Sequence, residues 1–106
     1  MKLELTERES KHLTSFSETE PDSDYVYSLQ DLWRIVPKQI EVDNMHYNFV
    51  CSYFNRGYLC GYFTEFSMWG GETINSESYY QNYNIELIDG IYETLIWYLK
   101  RLNANN

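Results

Sequence analysis

The sequence predicts an α+β fold in a single domain spanning 1–106: two N-terminal helices, an antiparallel β-sheet and a C-terminal helix. Three observations carry this. Apolar residues at helical spacing follow a capping serine at Ser28. Aromatic and apolar residues alternate along Tyr47–Phe54. Polar residues then recur at about 3.6-residue intervals after Asn84.

The first helix is expected over residues 3–16. Thr6-Glu7-Arg8-Glu9 has the form of a capping box, and Leu13 and Phe16 fall on one face. Residues 17–27 are polar, contain Pro21 and read as loop or extended chain. The second helix opens at Ser28, with Asp31 three residues on. Leu29, Leu32, Trp33 and Val36 follow i, i+3, i+4, i+7 spacing, and Pro37 stops it.

From Gln39 to about Ile85 the pattern is that of strands. Tyr47, Phe49, Cys51 and Tyr53 alternate with Asn48, Val50, Ser52 and Phe54. Asn55-Arg56-Gly57 then turns the chain into a second strand from Tyr58 to Met68. Gly70-Gly71 marks another turn, and Tyr79, Tyr80 and Tyr83 suggest a further strand. Asp89-Gly90 is also a hairpin pair. However, Glu86, Asp89/Gly90, Glu93 and Lys100/Arg101 recur at helical spacing, with acids first and bases last as a helix dipole favours, so a helix is expected after Asn84.

Sixteen acids against eight bases give a formal net charge of −8. That argues against direct binding to nucleic acid or an anionic membrane, which need clustered Lys and Arg. It favours rapid, salt-sensitive capture of a basic partner. Five acids and no Lys or Arg lie between Lys11 and Arg34, and six acids and again no base between Arg56 and Lys100. With no apolar leader in MKLELTERES and no apolar run of membrane-spanning length, the expected location is the cytoplasm. Cys51 and Cys60 are too few for a disulfide scaffold or a structural zinc site. They are expected on neighbouring strands, as reduced thiols.

Catalysis finds little support. His12 and His46 read as exposed or structural, and no HExxH, CxxC, GxSxG or phosphate-cradling glycine loop is present. No enzymatic role and no cofactor is expected. The 11 tyrosines lack the basic groove of a nucleic-acid stacking platform and read mainly as strand residues, with an interface role for some. Glu18, Glu20, Asp22 and Asp24 put a carboxylate at every second residue. In extended chain these repeat on one side at roughly 6–7 Å, close to the spacing of successive phosphates. The same pattern also suits a solvated loop, and spacing alone leaves both readings open.

Several segments taken in order, namely MKLEL, SKHLTSF, the acidic stretch into SLQDLWRIVPKQ, then YNFVCSYF and YLCGYF, resemble staphylococcal-type uracil-DNA glycosylase inhibitors. The resemblance spans Met1 to about Gln39 best and the strand hairpin loosely, and stops at about Phe66. It implies a small acidic DNA mimic that blocks the glycosylase's DNA-binding groove. Phosphate-mimicking contacts would fall at Glu20, Asp22, Asp24, Ser28 and Asp31, although Tyr25 and Tyr27 stand where an acid nearer the helix start would fit. A hydrophobic pocket capturing the enzyme's apolar minor-groove wedge would draw on Leu29, Leu32, Trp33, Val36, Val50, Leu59 and Tyr62, with plain core as the alternative for each and the favoured one for Leu32 and Val36. The expected partner is therefore a DNA-binding enzyme, uracil-DNA glycosylase first. Alternatives are a DNA mimic aimed at a restriction enzyme or CRISPR effector, or an immunity protein against a toxin nuclease.

Overall fold

The computed structural model describes residues 1–16, 25–64, 68–69, 72–73 and 78–104. Helices α1 (Glu7–Thr14) and α2 (Leu29–Ile35) precede strands β1 (Gln39–Val42), β2 (Met45–Phe54), β3 (Gly57–Phe63), β4 (Met68–Trp69), β5 (Glu72–Thr73) and β6 (Ser78–Asn84). Helix α3 (Leu87–Ala104) closes the chain. The fold is α+β, with an antiparallel sheet ordered β1-β2-β3-β6 and a separate β4-β5 pair.

Both N-terminal helices start at full capping boxes. Thr6 and Glu9 exchange bonds at α1, and Ser28 and Asp31 at α2, satisfying backbone N–H groups that a helix start leaves open. The cap at Thr6 also corrects the expected start of α1. Residues 3–5 are not helical but run extended beside the α2 entry, with Leu5 N–H donating to Tyr27 O and Leu29 N–H to Leu3 O, both at 2.9 Å. Lys2 then joins this segment to α3 through Glu86 and Asp89 and to α1 through Glu9.

Two tight turns shape the sheet. Asn55 and Arg56 take positive φ (51° and 64°), the backbone of a two-residue type I′ hairpin between β2 and β3. Asp43 and Asn44 do the same between β1 and β2, a turn the sequence reading passed over although short Asx side chains tolerate this region. The strand expected over Tyr58–Met68 ends at Phe63, and Met68 belongs instead to β4. The expected Gly70-Gly71 turn lies outside the described residues. Asp89-Gly90 forms no hairpin: both residues sit in the first turns of α3.

Helix α3 lies on one face of the sheet and builds the core from Ile88, Ile91 and Leu95 against Phe49, Cys60 and Tyr62. Leu32 and Val36 of the α2 region and Leu5 and Leu13 from the N-terminus complete it. Gly90 allows the close seating of α3, since a Cβ there would stand 2.6 Å from Cys60 Sγ. Asn82 reinforces the contact by donating to Gly90 O (3.1 Å) and Thr94 Oγ1 (3.0 Å). A register shift between Tyr62 and Phe63 accompanies Tyr79 and Tyr80 both reaching α3, where each packs on Trp97.

Candidate protein-binding surface

At the α2 entry, expected site residues are joined by hydrogen bonds. Ser28 Oγ accepts from Asp31 N–H at 3.2 Å. Asp31 Oδ2 accepts from Ser28 N–H at 2.9 Å and from Tyr25 Oη at 2.8 Å. The Ser28 backbone bond, followed by the Tyr25 hydroxyl, holds the Asp31 carboxyl below its usual range. A carboxylate that the sequence offered as a phosphate mimic is thus also the lock of the α2 cap. Its folded pKa is depressed, so its stabilisation is present above the unfolded value and is lost as pH falls through the folded one. Asp31→Ala is expected to cost about 1 kcal/mol near neutral pH, and the deficit should shrink at about pH 3. Urea titrations of both proteins at the two pH values check this. A deficit that does not change with pH sinks it.

Glu18, Glu20, Asp22 and Asp24 lie outside the described residues. Their neighbours do not. Phe16, just before the stretch, lines a groove of about 170 Å³ with Leu13 of α1, Tyr27 and Ile35 of the α2 region and Leu99 of α3. Tyr25, just after it, packs edge-on against Tyr27 at 5.0 Å. A second run without Lys or Arg, residues 65–77, falls in the chain between β3 and β6. Next to Ser78, Tyr79 lies 5.7 Å from Trp97, with the Arg101 guanidinium 4.7 Å over its ring. Phe16, before the first stretch, therefore lies by Leu99 of α3 and Tyr79, after the second, by Trp97 and Arg101, whereas Thr64 lines a separate concavity with Gln39, Asn44, Met45 and His46.

Charge is divided unevenly between these stretches and the rest of the chain. Residues 17–24 and 65–77 hold seven of the sixteen acids and none of the eight bases. The rest is nearly balanced, nine acids against eight bases. Several of those bases are engaged on the scaffold: Lys2 with Glu9 and Asp89, Lys11 with Glu7, Lys38 over Trp33, and Arg101 over Tyr79.

The hydrophobic pocket expected between α2 and the sheet is not a single cavity. Leu32, Val36 and Tyr62 are closed core, 0%, 1% and 0% exposed. Leu29 packs half-buried against that core. Trp33 is exposed, tilted on Phe49 at 5.8 Å, with Lys38 Nζ 4.7 Å over its ring. Val50 and Leu59 belong to the other face: Val50 pairs with Gly61 and Leu59 with Ser52, out of phase with the Phe49–Tyr62 and Cys51–Cys60 pairs that meet α3. The apolar opening that does exist, around Ile35, combines residues from three helices. Ile35 stands three positions after Leu32, a spacing that makes them neighbours along α2.

A larger concavity of about 310 Å³ lies along α3, lined by Tyr80, Tyr92, Glu93, Trp97 and Lys100 together with His12, whose Nδ1 is 2.9 Å from Tyr92 Oη. Among the described residues no three His, Cys, Asp or Glu side chains come together as a metal-binding group. No described helix is long and apolar enough to cross a membrane. These features define a small α+β protein with an apolar groove where α1, α2 and α3 meet. The chain matches no protein-family model, no curated protein and no solved structure.

Proposed function

We propose that this protein is a DNA-mimicking inhibitor that binds uracil-DNA glycosylase and occupies its DNA-binding groove. The observation that carries the reading is the uneven charge, seven acids and no base in residues 17–24 and 65–77, together with an apolar groove lined by Phe16, the residue just before the first of these stretches. Carboxylates repeated along 17–24 present the charge that a phosphate-binding surface expects, and the groove at Leu13, Phe16, Tyr27, Ile35 and Leu99 receives an apolar side chain from that surface. The groove replaces the pocket first expected beneath α2. Ser28 and Asp31 fix the helix that walls it.

The test is uracil excision by a purified glycosylase in the presence of a molar excess of this protein. Loss of excision supports the proposal, and full activity overturns it. Ile35→Ser separates the apolar contribution from the charge. Ile35 is 48% exposed, so its replacement is expected to leave folding stability within about 0.5 kcal/mol. Inhibition should weaken roughly tenfold or more, as for an anchor in a desolvated pocket. Unchanged inhibition removes the groove from the contact.

A further inference from the structure

The geometry points to Cys51 and Cys60 as a reversible oxidation site that closes an intramolecular disulfide across the β2–β3 hairpin. Both thiols are free, and the register sets them directly opposite one another. The turn at Asn55-Arg56 fixes what kind of pair they form. In a two-residue hairpin the flanking residues, here Phe54 and Gly57, exchange backbone hydrogen bonds, and bonded and non-bonded pairs then alternate. Tyr53–Tyr58 is non-bonded, Ser52–Leu59 bonded and Cys51–Cys60 non-bonded. Non-bonded pairs bring side chains closest, at a Cα separation of about 4.5 Å, within the roughly 4.4–6.8 Å range that a disulfide spans.

The surroundings assign the two sulfurs different parts. Cys60 is fully buried (0% exposed) against Gly90 of α3, whereas Cys51 is half-buried and offers the reachable thiol. The neighbouring thiol lowers the pKa of Cys60 and raises that of Cys51, but only Cys51 can be reached from outside, so exposure sets the order of attack. With a small-molecule disulfide as oxidant, the Cys51 thiolate attacks one of its sulfurs, breaks that S–S bond and releases one thiol. Cys60 then loses its proton and attacks Cys51 Sγ. The Cys51–Cys60 bond forms and the second small thiol leaves. The protein gives up two protons and two electrons, and the oxidant takes them up to become two thiols. Because the hairpin already holds the loop closed and the pair sits at the short end of the allowed span, the bond is readily reduced rather than a permanent staple.

The full chain is equilibrated with excess oxidised glutathione, alkylated with N-ethylmaleimide under denaturing conditions, and its mass and peptides are read. The expected product has lost two hydrogens, takes up no maleimide, and contains Cys51 linked to Cys60 within one chain. Reduced glutathione should restore two alkylatable thiols. In Cys60→Ser the reaction should stop at one glutathione on Cys51. Two maleimides on the oxidised wild type, a wild type arrested at one glutathione, or covalent dimers would each overturn the assignment.

Discussion

Tyr62→Ala is expected to lower the unfolding free energy by about 3–5 kcal/mol, the loss typical of a large buried aromatic. This residue ties three parts of the fold together. Its ring lies 5.6 Å from Phe49 on β2 and 5.8 Å from Trp97 on α3, and its hydroxyl donates to Pro37 O at 2.7 Å, where the chain leaves α2. Burial pushes its phenol well above the usual range, so it stays a neutral donor. Against a stability on the order of 5–15 kcal/mol, the loss removes at least about a fifth of the total. Tyr62→Phe keeps the ring and removes one hydrogen bond, and should cost about 1 kcal/mol. Urea denaturation of the three proteins separates the terms. A Tyr62→Ala loss no larger than that of Tyr62→Phe would contradict the packing role.

Asp22→Lys combined with Asp24→Lys is expected to slow association with the glycosylase about tenfold or more at low salt and to flatten its salt dependence. The physical basis is long-range attraction, screened beyond roughly 10 Å at ordinary ionic strength. Four units of charge change in a stretch that carries no compensating base, immediately before Tyr25 and the capped helix. Glu18 and Glu20, on the far side of Pro21, should matter less. Stopped-flow association at two salt concentrations reads the effect, and dissociation should change little. An on-rate indifferent to both substitutions would exclude these acids from the encounter.

How much of the fold was legible depended on whether a feature is local. The α2 cap was readable because Ser28 and Asp31 are three residues apart and one helical turn closes the bond between them. The hairpin at Asn55-Arg56-Gly57 and the α3 helix after Asn84 were readable for the same reason: turn residues and 3.6-residue periodicity act within a few positions. The Asp43-Asn44 turn was equally local and was missed because neither residue is glycine, although both take positive φ.

The candidate site was less legible. The resemblance to the glycosylase inhibitors groups Val50 and Leu59 with Tyr62 in one pocket. Strand alternation alone separates Leu59 from Tyr62, which stand an odd number of positions apart and point to opposite faces. The groove around Ile35 draws on α1, α2 and α3, and no periodicity within one segment states which helix faces will meet. The sequence by itself determined the α+β class, the helix caps, the β2–β3 hairpin and the unequal distribution of charge, all set by neighbouring residues or by composition. Only the tertiary structure decided which apolar residues close into core, which remain open in the groove between the three helices, and that Cys51 meets Cys60. Those outcomes depend on how α3 seats on the sheet and on register, where a shift of one residue would turn every side chain to the other face.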